Sequence, residues 1–283
     1  MENYKVFRKN SRSENSSTHV HCYTLINMEI AVSTLFCLHK PFTAAMMDVI
    51  ETGIKNVELV DEGLHIINNE RIDKLLELKD EYGLNYSLHA PFTDVNLAAY
   101  DPNIRTAIQR RLKATVCWAS KLGAETMVFH PGNSTAIERY MKGIAWKINL
   151  ESINEILNYA DQKKIVAAIE NVPDPFPFLL KSVRDFQHFF NDLNREVKMA
   201  LDLAHSNIRG ESHKFVKTFQ DKIVHIHVSD NNGDSDRHLQ LGKGIINWSK
   251  TIESLKKIKY SGWITVESYS GVEESINLLR EYV

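Results

Sequence analysis

Cysteine is scarce. The chain of 283 residues has three, Cys22, Cys37 and Cys117. They are odd in number, widely spaced and form no C-x-x-C pair, which excludes a disulfide framework and points to a reducing cytoplasm. Each is read as core or surface filler. Charge of one sign is lacking too. Thirty-four Lys and Arg face thirty-six Asp and Glu, a net −2 with His neutral, so there is no overall basic footprint for nucleic acid, although a local patch stays open. No apolar run approaches a membrane span, and the N-terminus lacks the long apolar core of a secretory signal. The segment after the first apolar strand, STLFCLHKPF, contains no glycine. That argues against a doubly wound open sheet, which normally offers a Gly-rich phosphate loop there.

What is present is an ordinary globular composition, 43% hydrophobic and 25% charged. Residues 1–27 are rich in Ser, Asn and charge without apolar periodicity and are expected to form a disordered extension. His19 and His21 lie within it. From Met28 a rhythm sets in: MEIAVST, NVELV, NYSLHA, ETMVFH, KIVAAIEN, VKMALDLAH, IVHIHVSD and WITVES read as eight strands. Between them lie helical segments, among them Arg71–Tyr82 stopping at Gly83, a long helix opened by Asp101 and Pro102, one over 135–162, and a short one capped by Ser182. Eight strand–helix units in one domain, 28–283, predict an α/β fold of the (β/α)8 barrel type.

Six consecutive strands end on potential metal ligands. These are His89, His130, Glu170, Asp202 with His205, His227 with Asp236 and His238 in the following loop, and Glu267. In a barrel such ends converge on one mouth. Five imidazoles and four carboxylates there call for cations, since clustered buried carboxylates are costly alone. Mixed His and carboxylate donors suit Zn, Mn or Co, one to three ions. His225 shares a strand face with His227 and is placed one layer deeper. His39, His65, His188 and His213 are expected to be solvated, and Asp230 and Asp234 to be ordinary loop residues. Gly242 and Gly244 are read as the turn from this loop back into the helix near Trp248.

The phrases HAP, FHPG, IEN, DLAH, HVSD, DRHLQLGKG and VES, in this order, resemble the xylose-isomerase-like TIM barrel superfamily over roughly 28–283. The superfamily includes sugar epimerases and isomerases and endonuclease IV. The epimerase resemblance implies one divalent ion on Glu170, Asp202, His227 and Glu267. It implies proton transfer by Glu170 and Glu267 through a metal-stabilised enediolate, with His205 steadying a substrate hydroxyl. The endonuclease IV resemblance implies three zinc ions on all nine ligands and hydrolysis of a phosphodiester at abasic sites.

Departures weigh on both sides. Endonuclease IV follows its first ligand His with an aromatic and an aliphatic wedge, and here Phe92 is followed by Thr93. The mouth loops PFTDVNLAAYD and VPDPFPF are acidic or apolar rather than basic. The arginine usual in the epimerases six residues after the seventh-strand His is Gly233 here, with Arg237 nearby. Phe92 and Arg237 are taken as substrate contacts, and Phe176 and Phe178 as pocket walls. A divalent-metal-dependent isomerase or epimerase of a small sugar or sugar phosphate is preferred. The endonuclease, with a nucleic-acid partner, is the alternative, and a barrel that binds a metabolite without turning it over is a third class. The expected setting is cytoplasmic, with no membrane partner and the oligomeric state open.

Overall fold

The computed structural model describes residues 28–193 and 195–283. The expected N-terminal extension, with His19, His21 and Cys22, lies outside them. Eight parallel strands close into one barrel in sequence order, with the first paired to the last. They are β1 Glu29–Ser33, β2 Asn56–Val60, β3 Asn85–His89, β4 Thr126–Phe129, β5 Val166–Glu170, β6 Lys198–Asp202, β7 Ile223–Val228 and β8 Trp263–Val266. The outer helices are α1 Phe42–Glu51, α2 Asn69–Tyr82, α3 Pro102–Leu122, α4 Ile144–Lys163, α5 Val183–Leu193, α6 Leu203–Ile208, α7 Ser212–Thr218, α8 Trp248–Lys257 and α9 Val272–Arg280. No helix among the described residues is long and apolar enough to cross a membrane.

Strand alternation sorts the side chains. Val57, Leu59, Leu88, Met127, Phe129, Ile169, Met199, Leu201, Ile226 and Ile264 belong to the main core between strands and helices. Val128, Ala168 and Ala200 form a separate small cluster. Small residues leave the lumen room for the polar groups that share it, Glu58, Ser87, His225 and Thr265, all buried. The helix signals act as written. Asp101 accepts from the amides of Asn103 and Ile104 with Pro102 in the first turn, Ser182 accepts from Asp185, and Gly83 and Gly123 end α2 and α3 in the left-handed region. Cys37 is buried, and Cys117 is half-buried with its sulfur 3.0 Å from the Tyr159 hydroxyl.

Four expectations change. The helix over 135–162 is a 3-10 turn, Ala136–Arg139, followed by α4. The segment DLAH leaves the sheet at once: Asp202 ends β6 and caps α6 by accepting from the His205 amide at 2.6 Å. His65 is not solvated; it is buried, with Nε2 3.1 Å from the Lys40 carbonyl oxygen and its ring edge-on to Phe42. Asp230 is not an ordinary loop residue.

Asp230 organises the long loop after β7. Its carboxylate is fully buried and accepts from the amides of Asn231, Gly242 and Ile246 and from the Trp248 indole, at 2.9–3.2 Å. Gly242 turns there at φ +84, and at Gly244 a Cβ would lie 2.2 Å from Asp230 Oδ1 and the Asn231 carbonyl oxygen. Gly244 is therefore required by crowding rather than by its dihedral angle. Asp234, by contrast, is exposed as expected. Asp230→Ala is expected to lower unfolding free energy by about 2–4 kcal/mol, because buried donors lose a charged acceptor. Urea denaturation checks this, and a loss below about 1 kcal/mol would refute the assignment.

Candidate metal centre

Six of the nine site residues stand at or beside a C-terminal strand end because the strands are short and in register. His89 ends β3 opposite Val60, Glu170 ends β5 opposite Ala200, and Asp202 ends β6 opposite His227. His130 and Glu267 are the residues immediately after β4 and β8. His205 arrives on the first turn of α6, and Asp236 and His238 on the loop that Asp230 secures. All nine expected ligands thus meet at one mouth.

Their donor atoms fall into three groups, with the atoms of each group within 4.8 Å of one another. Glu170, Asp202, His227 and Glu267 form one, His89, His130 and Glu170 a second, and His205, Asp236 and His238 a third. Glu170 joins the first two: Oε2 lies 3.1 Å from His89 Nε2 and 3.0 Å from His130 Nε2, and Oε1 lies 3.0 Å from His227 Nδ1. Asp236 Oδ2 bridges His205 Nε2 at 3.3 Å and His238 Nε2 at 3.2 Å.

Backbone carbonyls decide the ring states. His89 Nδ1 faces Ala90 O, His205 Nδ1 faces Asn171 O, and His238 Nδ1 faces Glu267 O, each at 2.8 Å. A carbonyl oxygen only accepts, so these nitrogens carry hydrogen and Nε2 turns to the centre. Metal-binding imidazoles are held in this way. Asn171 completes the support by accepting from the Asp202 amide and donating to the Asp202 carbonyl. Phe92 packs edge-on to His89, and Tyr269 stacks on His238 at 4.5 Å between ring centroids.

The residues fit divalent ions. Asp202 Oδ2, Asp236 Oδ1 and His205 Nε2 are buried without a hydrogen-bond partner, and a buried anionic oxygen with no donor calls for a cation. The charges point the same way. Burial works against the charge on Glu170, but His227 and His130 outweigh it and hold the carboxyl well below its ordinary range. Burial, with Glu58 and Glu170 adding to it, pushes Glu267 up to about 7. Burial opposes protonation of His89 and His205, yet Glu170 raises His89 to about 8, and Asp202 with Asp236 raises His205 to about 10.

Over this floor lies a cavity of about 440 Å³ walled by Phe92, Phe176, Phe178, Tyr269, Leu35 and Pro177 and reaching Glu170 and Glu267. No Lys or Arg lines it among the described residues. Arg237, expected at the substrate, is instead exposed and paired with Asp234 at 2.6 Å, outside the cavity lining. Lys181, at the end of the loop after β5, and Arg209 are both tied to Asp174.

One buried residue of this neighbourhood was missed by the sequence reading. Glu58, on β2, lies 3.0 Å from His227 Nε2 and 2.9 Å from His225 Nε2. Its signal was an acid within the apolar run NVELV. His225 sits one layer below His227, as expected, and also meets the Thr265 hydroxyl at 2.9 Å.

The xylose isomerase-like TIM barrel family model matches residues 48–282. Two uncharacterized proteins of Methanocaldococcus jannaschii are similar, one 30% identical over 266 residues (92% of this chain, 90% of the relative). The other is 33% identical over 245 residues (86% and 94%). Among solved structures, a D-tagatose 3-epimerase-like protein superposes with TM-score 0.85 at 29% identity, covering 90% of this chain and 97% of its own. A D-psicose 3-epimerase in the presence of D-fructose does so at 0.74 and 17% identity, covering 90% and 99%.

Metal ligands must shed their protons to bind. His89 and His205 hold protons above the ordinary imidazole value, so apparent Mn²⁺ or Zn²⁺ affinity is expected to rise from pH 6 to 9 with proton release. The metal-free protein should behave oppositely. A raised His pKa contributes stability that is complete below the unfolded value near 6.5 and, for His89, is lost as pH passes about 8. The rise in Tm on adding metal should therefore grow across this window. A pH-independent rise would show that these imidazoles are not ligands.

Proposed function

Since the chain belongs to the xylose isomerase-like TIM barrel family, we propose that it is a divalent-metal-dependent epimerase or isomerase of a neutral carbohydrate. The observation that carries this reading is a cavity with Glu170 and Glu267 at its floor, aromatic walls and no Lys or Arg in its lining among the described residues. A phosphorylated sugar or a DNA backbone would need basic contacts. A carbohydrate offers hydroxyls to the polar floor and C–H faces to the aromatic wall.

Glu170, Asp202, His227 and Glu267 would hold the ion. When bound, it supplies Lewis-acid polarisation of adjacent carbonyl and hydroxyl oxygens and so acidifies the carbon between them. The chain's own groups then handle the proton. Glu170 and Glu267 both reach the cavity floor, and epimerisation needs one carboxylate to take the α-proton and the other to return one to the opposite face. His205, with Nδ1 tied to the Asn171 carbonyl, presents Nε2 to a substrate hydroxyl. Phe92, Phe176 and Phe178 exclude water from the reacting carbon. The epimerase-like relative at 29% identity supports this assignment.

The three donor groups favour a second reading, a multi-zinc phosphodiesterase of the endonuclease IV type, because Asp236 and His238 are not needed for a single ion. Metal analysis beside two assays separates them. The expected result is an exchangeable Mn²⁺ or Co²⁺ with ketose epimerisation and solvent-hydrogen exchange at the epimerised carbon. Three tightly held zinc ions with cleavage of abasic duplex would establish the phosphodiesterase instead. Glu170→Gln and Glu267→Gln should each lower turnover by about 100-fold or more with circular dichroism unchanged. Full activity in either would show that the proton is moved elsewhere.

A further inference from the structure

The cavity over the candidate ligands changes character from floor to rim. Its floor is polar, with Glu170, His205 and Glu267 in the lining. Two aromatic runs climb outward from it. On one side the rings of His130, Phe178 and Phe176 follow one another with centroids 6.0 Å apart at each step. On the other, Tyr269 stacks on His238 at 4.5 Å. Phe176 follows β5 and Tyr269 follows β8, with β6 and β7 between those strands in the barrel. Both rings reach the rim, where they are 53% and 57% exposed.

Backbone contacts hold these walls in place. The Ser134 amide donates to the Pro177 carbonyl at 2.8 Å and the Leu179 amide to the Gly132 carbonyl at 3.1 Å, so the chain is tied on both sides of Phe178. Asp174, shortly before Phe176, is held by Lys181 and Arg209. The Tyr269 amide donates to the His238 carbonyl at 2.9 Å. Glu62 accepts from the amides of Phe92 at 2.9 Å and Thr93 at 3.1 Å, which fixes Phe92, a further ring of the wall. A wall built in advance lowers the ordering cost of binding.

Volume and chemistry together define the guest. The cavity of about 440 Å³ lies within the roughly 300–1,000 Å³ that takes drug-sized ligands, and it is larger than one sugar ring fills. Beyond the candidate ligands, the polar side chains of the lining among the described residues are Thr93, Asn133 and Tyr269. These are too few for a second sugar, whose hydroxyls would leave water to face carbon. A flat apolar group gains by leaving water and packs on rings already in place.

We propose that the ligand is a carbohydrate bearing a flat, apolar substituent away from its reacting carbon, with the sugar on the floor and the substituent between Phe176 and Tyr269. The sugar half rests on the function proposed above; the apolar subsite stands on the cavity alone.

Calorimetry on the full chain with Mn²⁺ compares D-fructose, 6-O-benzyl-D-fructose and 6-O-α-D-glucosyl-D-fructose, which carries a polar substituent on the same oxygen. The benzyl ether should bind about 10-fold or more tightly than either of the others, with the more negative heat-capacity change. Phe176→Ala and Tyr269→Ala should each bring that ratio towards one. A benzyl ether that binds no more tightly than D-fructose, or not at all, would overturn the proposal, and this comparison decides in the wild type even if a variant does not fold. So would a glucosyl derivative that binds as tightly as the benzyl ether, or a benzyl preference unchanged in both variants. Solvent-hydrogen exchange into each sugar is followed in parallel. No exchange in any of the three, with the benzyl preference present and lost in the variants, would remove the epimerase reading and leave the apolar subsite standing. Exchange in all three with equal affinities would do the reverse.

Discussion

Glu170 carries a negative charge in a place that is 1% exposed, and the mouth of the barrel is arranged around that difficulty. Desolvation alone would neutralise it. Instead His89, His130 and His227 stand within about 3 Å of its two oxygens, each delivered by a different strand. His227 comes close to Glu267, and His205 to Asp202 and Asp236, further carboxylates that need positive charge in their turn. Such a network is not satisfied by protons alone: buried oxygens of Asp202 and Asp236 still lack donors. The electrostatic deficit is the physical reason to place cations here, independent of any relative.

The barrel makes this crowding possible by keeping stability and chemistry in different layers. Outward-facing Leu, Ile, Met and Phe side chains carry the hydrophobic core between strands and helices. The lumen is filled with small or polar residues, so the upper ends can be polar without costing the outer core. The same division explains Asp230. It lies just beyond β7, and its hydrogen bonds shape the loop that returns Asp236 and His238 to the mouth. A structural carboxylate and two candidate ligands thus occupy one short stretch, separated by burial and partners rather than by sequence.

Eight strands, most of their helices and the nine converging candidate ligands were legible in the chain because each depends on local signals. Apolar runs of strand length end in His, Asp or Glu, and Asp101-Pro102, Gly83 and Gly123 punctuate the helices. The misreadings share one cause. Asp202-Leu-Ala-His205 continued an apolar run, but the Asp202 carboxylate capping the His205 amide turned it into a helix. His65 looked like a loop residue and is buried against Phe42. Arg237 was near the right place in sequence, yet Asp234, three residues away, claims it. In each case a specific side-chain partner, rather than the hydrophobic period, decided the outcome.

The order of residues by itself determined the closed barrel and the candidate ligand set, since strand period and strand ends are properties of short segments. Only the tertiary structure decided how the candidate ligands group, which nitrogen each imidazole presents, and that no Lys or Arg lines the cavity among the described residues. Those facts depend on atoms brought together from strands distant in the chain, as Glu58 on β2 and His227 on β7 are. Hydrogen-bond direction and desolvation exist only once such atoms meet, and it is these that set the chemistry of the mouth.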